Sequence, residues 1–497
     1  MSEFSRRPRR PRKAGTPGTP GTARPQGRPN PRRLAWQVLH DVAANDAYAN
    51  LLLPGALAKA GVSGPEAALA TELTYGTLRG LGLYDAVIAH AASRPVARID
   101  IRALAAMRLG THQILGMRTA DHAAVSETVA LVKKVQPRAA GFTNAVLRRV
   151  SERSREEWIA LLTADADEAH TLEVRTSHPA WTVRALREAL AAHGRDPEDI
   201  EALLAADNTP ARVCVTALPG VADRDSIAQE FGTPTPLSPY GVHLDGGNPL
   251  AVPAVREGTA RVQDEGSQLV ALALAEAPLG TPGDPASAAD LRGLPWFDMC
   301  AGPGGKTSVL AARARETGGG VQVVATDASA HRAHLVEDST RVFADAVEVH
   351  AADGREFGHA HPGAFARVLV DVPCSGLGAL RRRPEARWRR KPSDVTDLAP
   401  VQRALLASAW DSLAVGGVLA YTTCSPHAEE TLGVIREAVD RLGGLEVLDA
   451  PAVLAGITGT DAARFASAEV AGGTCVQLWP DRHDTDGMFL ALLRKVH

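Results

Sequence analysis

The chain has 497 residues, 45% of them apolar and 22% charged, with a net charge of −3. That length exceeds a single hydrophobic core and predicts roughly two to four domains of ordinary globular composition. No apolar run approaches the roughly 18–20 residues of a membrane span, and the arginine- and proline-rich start lacks the apolar stretch of a secretory signal.

Charge is unevenly distributed. Residues 1–33 hold ten Lys/Arg and one acid (Glu3), a charge of +9, which leaves −12 for the remainder. A basic arm on an acidic body predicts a polyanionic partner, nucleic acid. The five cysteines (Cys214, Cys300, Cys374, Cys424 and Cys475) form no CxxC pair and are far apart. Neither a disulfide framework nor a metal site is expected, and a reducing cytoplasm fits best.

In chain order, residues 1–30 are Pro/Gly/Arg-rich with almost no large apolar side chain, and are expected to be a disordered tail. Residues 31–154 read as an all-α bundle. RLAWQVLHDV places Leu34, Val38 and Leu39 on one helical face, and amphipathic segments follow at 66–80, 83–92, 100–116, 122–134 and 138–150. Residues 155–255 mix helical segments with the strand-like ARVCVTAL and a turn-rich region, and read as a small α/β connector. From 256 to 497 buried strands alternate with helices, the pattern of a doubly wound, mostly parallel sheet. Its strands are expected to end near Met299, Asp327, Asp353, Asp371 and Cys424, followed by two late strands around CVQLWP and GMFLALLRK. Ligands in such sheets bind beyond the carboxyl ends of the strands.

The stretch WFDMCAGPGGKT (Trp296–Thr307) is a strand, a Gly-rich turn and a helix start, a backbone-lined ligand site. It is not a phosphate-binding P-loop, because GxxxxGK[ST] would need glycine at Cys300, and GxGxxG fails at Thr307. Asp327, at the end of the next strand, stands where an acid binds ribose hydroxyls. A ribose-binding acid without a phosphate loop suits S-adenosylmethionine, and Asp353 one strand on could meet its adenine. Cys374 (DVPCSG) and Cys424 (TTCSP) both fall just past strand ends, with Asp371 adjacent, and point to nucleophilic chemistry. Thiolate addition to C6 of a pyrimidine makes C5 nucleophilic enough to take a methyl group. The residues alone do not say which cysteine attacks.

DMCAGPGGKT, ATDAS, ADGRE, DVPCSGLGALRRRPEARW and YTTCSP, in that order, resemble the NOL/NOP/Sun class of RNA 5-methylcytosine methyltransferases. ELTYGTLRG, HAAVSETVALVKK and GFTNAVLRRV resemble the NusB-like RNA-binding domain of the RsmB-like bacterial rRNA enzymes. The resemblance implies a Rossmann-like class I methyltransferase domain whose loop Cys300, Ala301, Gly302, Pro303, Gly304, Gly305 and Lys306 cradles the methionine part of the donor. It implies that Asp327 binds the ribose, that Asp353 lies by the adenine, and that Asp371 sits between donor and base. Cys424 would be the nucleophile and Cys374 would assist product release. Gly302 departs from the small residue, often Ala, found there in the family. The implied substrate is RNA, most readily small-subunit (16S) rRNA. The alternatives are tRNA or a non-catalytic RNA-binding assembly factor. The cationic Arg381–Lys391 segment, with Trp388 interleaved, is expected to track phosphates and stack bases beside the active cysteine, with the NusB-like domain as the other RNA contact.

Overall fold

The structure, a computed structural model, describes residues 30–280, 289, 291–317 and 320–497. The expected tail therefore lies, except for Asn30, outside the described residues. Asn30 opens the first helix by accepting a hydrogen bond from the Arg33 amide, with Pro31 at the first helical position.

Seven helices follow in turn: α1 (Pro31–Ala44), α2 (Ala49–Ala60), α3 (Gly64–Arg79), α4 (Leu81–Ala92), α5 (Ile101–Leu115), α6 (Asp121–Val135) and α7 (Ala140–Val150). Helix α5 is central. Its Ala105, Ala106 and Leu109 join the core made by α1, α2, α3 and α6. Its Leu104 and Met107 join a second core with α4 and α7. Helix α2 was not apparent in the sequence because Pro54, which reads as a break, lies inside it.

Residues 155–207 are entirely helical: α8 (Arg155–Leu162), α9 (Glu168–Thr176), α10 (Ala180–Ala192) and α11 (Ile200–Asp207). Trp158 of α8 and Val174 of α9 complete the second core of the N-terminal bundle. Helices α10 and α11 pack instead against Leu377, Leu380, Ala386 and Trp479 of the C-terminal half. A four-stranded antiparallel sheet then forms in the order β2-β3-β1-β4, from β1 (Cys214–Ala217), β2 (Gly232–Pro234), β3 (Gly241–Leu244) and β4 (Ala260–Val262). Helices α12 (Arg224–Phe231) and α13 (Pro253–Glu257) lie in its connections.

The C-terminal half is built on a nine-stranded sheet. Five parallel strands, β5 (Trp296–Asp298), β6 (Val323–Asp327), β7 (Val347–Ala351), β8 (Phe365–Asp371) and β9 (Leu413–Thr423), take the order β7-β6-β5-β8-β9. The topology reverses beside β5, the position at which such sheets open a ligand crevice. Strands β10 (Leu445–Val447), β11 (Ala466–Val470), β12 (Gly473–Gln477) and β13 (Phe489–Lys495) extend the sheet antiparallel from β9, two more than the sequence suggested. The remaining helices are α14 (Glu265–Glu276), α15 (Gly305–Glu316), α16 (Ala330–Thr340), α17 (Gly354–Ala360), α18 (Ala386–Arg389), α19 (Pro392–Ser412), α20 (Leu432–Arg441), α21 (Ala450–Thr458) and α22 (Pro480–His483). Helix α14 is buried along nearly its whole length beneath the sheet, as its near-continuous apolar run requires.

The Arg381–Lys391 segment is not the free cationic surface expected of it. Arg381 pairs with Asp484 at 2.7 Å, and Arg382 with Asp264 at 2.5 Å and Asp486 at 3.0 Å. Arg387 is fully buried and donates to Asn208 Oδ1 at 2.8 Å and to the carbonyls of Ser177 and Asp207. Arg389 donates to the carbonyls of Val42, Asp46 and Ala47, while Glu385 accepts from the Ala49 amide at 2.9 Å. Trp388 lies against Gly82 of α4. A buried charge must be paired or hydrogen-bonded, and Arg381, Arg382, Glu385, Arg387 and Arg389 each find at least one partner within the chain. The segment is a strap joining the helical half to the sheet, and only Arg383 and Lys391 are exposed. Arg387→Ala is expected to cost roughly 2–5 kcal/mol in urea unfolding, from a cavity and unpaired acceptors. Arg383→Ala is expected to stay within about 0.5 kcal/mol; the opposite ranking would return the segment to a surface role.

Candidate functional site

Strand β5 ends in Asp298, which is 1% exposed and accepts a hydrogen bond from Thr307 Oγ1 at 2.7 Å. Burial raises its pKa to about 7. The loop between them bends at Gly304, whose φ of +99° lies in the left-handed region. A Cβ there would meet Ser339 Cβ at 2.6 Å and Val336 Cα at 3.0 Å, both on α16. Ser339 Oγ donates to the Pro303 carbonyl at 2.6 Å, and Ser308 Oγ donates to the carbonyls of Gly304 and Ser339. The loop is therefore clamped between the start of α15 and the last turns of α16.

Asp327 closes β6 and is 5% exposed. One carboxylate oxygen accepts from the Gly302 amide at 3.1 Å and the other from the Ser329 amide at 2.9 Å. Arg332 reaches over the same loop, with Nε 3.3 Å from Asp327 and Nη2 donating to the Gly302 carbonyl at 2.5 Å. A Cβ on Gly302 would meet the Asp327 carboxylate at 2.5 Å and Arg332 Nε at 2.7 Å, so glycine makes room for this arginine. Asp353 lies two residues past β7 and caps α17 through the Arg355 amide, while the Arg355 guanidinium pairs with it at 2.5 Å. Its charge is thus engaged within its own turn.

Lys306 Nζ contacts Asp371 Oδ2 at 2.7 Å, joining the first turn of α15 to the end of β8. Burial opposes the lysine charge, but Asp371 outweighs it and the pKa is raised. Beyond Asp371 the chain turns to Cys374, whose Sγ lies 3.4 Å from Sγ of Cys424 past the end of β9. The Gly378 amide donates to the Cys424 carbonyl at 2.9 Å, and the Gly487 amide to the Gly378 carbonyl at 2.7 Å. The hydrogen bond between the two sulfurs, in which either can donate, lowers the Cys424 pKa most, burial and Asp371 oppose this, and Lys306 and Arg383 assist it. The same hydrogen bond, together with burial, holds the Cys374 thiol well above the usual range. Cys300 is raised by burial, and Cys214 and Cys475 are buried elsewhere. One edge thus gathers a glycine loop, two acids on neighbouring strand ends, a lysine–carboxylate pair and two touching thiols with opposed proton affinities.

Residues 290–494 match the family model described as 16S rRNA methyltransferase RsmB/F, and residues 29–152 match the NusB family. A Pseudomonas putida protein named ribosomal RNA small subunit methyltransferase B is 33% identical over 84% of this chain and 91% of its own length. The chain belongs to the RsmB/F methyltransferase family. A Mycobacterium tuberculosis protein carrying a methyltransferase name is 44% identical over 94% of this chain and 96% of its own length. The crystal structure of PH0851 shares the fold with a TM-score of 0.75 at 20% identity, over 94% of this chain and 99% of its own. Members of the RsmB/F family use S-adenosylmethionine. Two features beside the loop fit that donor. The Gln263 carboxamide, 8% exposed, has no partner on either atom among the described residues and lies 3.6 Å from a Cβ placed on Gly305. Asp298 Oδ1 is equally unpartnered. Unpaired buried polar atoms beneath a glycine loop suit a ligand with its own ammonium and carboxylate.

Sequence reading passed over Gln263, Arg332 and Asp298. A single glutamine before a helix carries no signal, and the loop's aspartate looked like the end of an apolar run. Among the described residues no group of three or more His, Cys, Asp or Glu is placed to hold a metal ion, and no helix is long and apolar enough to cross a membrane. Gly304→Ala is expected to weaken S-adenosylhomocysteine binding at least tenfold and to cost about 1–3 kcal/mol in thermal unfolding. Gly305→Ala, whose Cβ would make only ordinary contacts, should unfold as the wild type does. Equal stability of the two variants would show the loop to be looser than its contacts imply.

Proposed function

We propose that this RsmB/F methyltransferase transfers a methyl group to C5 of cytosine in RNA, with small-subunit rRNA in the cytoplasm as the substrate class, through a covalent bond between Cys424 and C6. The single observation that carries the chemistry is the 3.4 Å contact of Cys374 and Cys424 beside the Lys306–Asp371 pair. The rRNA assignment rests on the relatives named for the small subunit and on the NusB-like helical half. RNA contact is assigned to that half and to the exposed Arg383 and Lys391.

Bound S-adenosylmethionine supplies an electrophilic methyl group on its sulfonium. Cys300–Lys306 and Gln263 hold its methionine end, Asp327 its ribose, and Asp353 the adenine side. Cys424 begins as the thiolate, favoured by the Cys374 hydrogen bond and by Lys306. Its sulfur adds to C6, and the C5–C6 π pair moves to C5, which takes the methyl group as S-adenosylhomocysteine departs. Asp371, held by Lys306, orients the base between donor and thiolate. Once sulfur is bonded to C6, the negative charge beside Cys374 is gone and its proton affinity falls. Cys374 releases that proton to solvent and takes the C5 proton instead. The C5–C6 double bond re-forms, the C6–S pair returns to Cys424, and the product leaves.

Cys424→Ala should abolish methylation while S-adenosylhomocysteine titration stays near the wild-type affinity. Cys374→Ala should accumulate a denaturant-resistant protein–RNA adduct. Full turnover in either variant removes the assignment of that cysteine. Bisulfite sequencing of RNA from a deletion strain locates the base, and a lost signal confined to tRNA would replace the rRNA reading. The single-turnover rate should rise with pH and level off below about 8.5, the ordinary thiol value, because the Cys424 pKa is lowered. In Cys374→Ala, which lacks the donated hydrogen bond, the midpoint for adduct formation should move upward.

A further inference from the structure

Glu430 is a wholly buried carboxylate with no part in the donor site or the cysteine contact, yet its hydrogen bonds reach one cysteine turn directly and the other through Ser375. It follows β9 and the Cys424 turn, and its main chain is anchored by Tyr421, whose hydroxyl donates to the Glu430 carbonyl at 2.8 Å. Three donors converge on its side chain. The Ser375 amide meets Oε1 at 2.8 Å, the Ser375 hydroxyl meets Oε2 at 2.5 Å, and Gln402 Nε2 of α19 meets Oε1 at 3.1 Å. Gln402 Nε2 also donates to the Pro373 carbonyl at 2.9 Å, so residues 373 and 375 are gripped on both sides of Cys374. Ser375 Oγ lies 3.0 Å from Ser425 Oγ, next to Cys424. The glutamate is thus bonded directly to the Cys374 turn and only through a hydroxyl to the Cys424 turn.

A buried carboxylate is costly unless several donors meet it. An uncharged side chain would fill the space more cheaply, so the charge itself calls for an explanation. The charges around the two sulfurs differ. Cys424 faces Lys306 from α15, Arg383 from the strap and Asp371 from β8. Cys374 faces Glu430 and the Cys424 sulfur, which both raise its proton affinity, with the Thr423 side chain opposing them. A negative charge on the Cys374 side disfavours a second negative charge at that sulfur and leaves the proton there.

We infer that Glu430 is a positioning residue that pins the Cys374 and Cys424 turns together and, by its placement against Ser375, keeps the proton on Cys374 so that Cys424 carries the thiolate. This deepens the cytosine reading above and rests on it for its meaning in catalysis. The proton placement itself can be measured without RNA.

The test is competitive alkylation of the full-length protein by iodoacetamide, with peptide mass spectrometry giving the ratio of label at Cys424 to label at Cys374 across pH. Wild-type protein is expected to label chiefly at Cys424 at pH 7. In Glu430→Gln the ratio should fall severalfold toward equal labelling of the two sulfurs, and turnover should fall with the thiolate fraction. A merely structural role would alter the melting temperature and leave this ratio unmoved. A folded Glu430→Gln protein that binds S-adenosylhomocysteine normally and keeps the wild-type ratio overturns the inference. If Glu430→Gln loses donor binding, Glu430→Asp decides in its place. That variant keeps the negative charge, and the ratio should stay near the wild-type value; a ratio as low as that of Glu430→Gln overturns the inference. Wild-type protein that shows the ratio shift on mutation but methylates no cytosine in any RNA would sink the cytosine reading alone.

Discussion

Strands β8 and β9 lie side by side in parallel register, with Asp371 opposite Thr422. Because both strands run the same way, whatever follows each of them emerges at the same edge, and two turns fifty residues apart in sequence meet there. The Cys374–Cys424 contact depends on that register. A parallel pair needs a long crossover, supplied here by the strap and α19, so the segment that joins the two cysteines is also the one that fastens the N-terminal helices. The site and the domain arrangement are therefore not independent features. They are two ends of one crossover.

The same register arranges the donor side. Strand β5 lies between β6 and β8, so the glycine loop after Asp298 has Asp327 on one flank and Asp371 on the other. Lys306, in the first turn of α15, crosses to Asp371 and links the loop to the cysteine side. A low-dielectric setting strengthens each of these interactions. It also explains the high proton affinity of Asp298, the acid that lies deepest.

Four of the parallel strands were legible because both their faces are buried, which forces apolar runs such as VLV before Asp371, while the half-exposed edge strand β7 shows through its valines. The cysteines, Asp327 and Asp371 were legible because they stand just past such runs. Strands β10 and β11 were not, since they are short and only half-buried and carry no apolar pattern. The strap was misread for a physical reason: a run of arginines looks like a solvated or RNA-facing surface when its partners, Asp264, Asp484, Asp486 and Asn208, lie about a hundred residues or more away along the chain. Glu430 had a similar disguise. In HAEET it reads as an acid near a helix start, and nothing local shows that Ser375 and Gln402 converge on it.

The strap's hold on the first two helices has an evolutionary side. Arg389 and Glu385 bond to main-chain groups of the α1–α2 turn: the carbonyls of Val42, Asp46 and Ala47, and the amide of Ala49. Every residue type offers a carbonyl, and every type but proline offers an amide. These bonds therefore place no demand on the side chains of the turn, whereas Arg389 and Glu385 cannot be replaced without losing them; Val42 and Ala49 are constrained separately, by the core of the helical half.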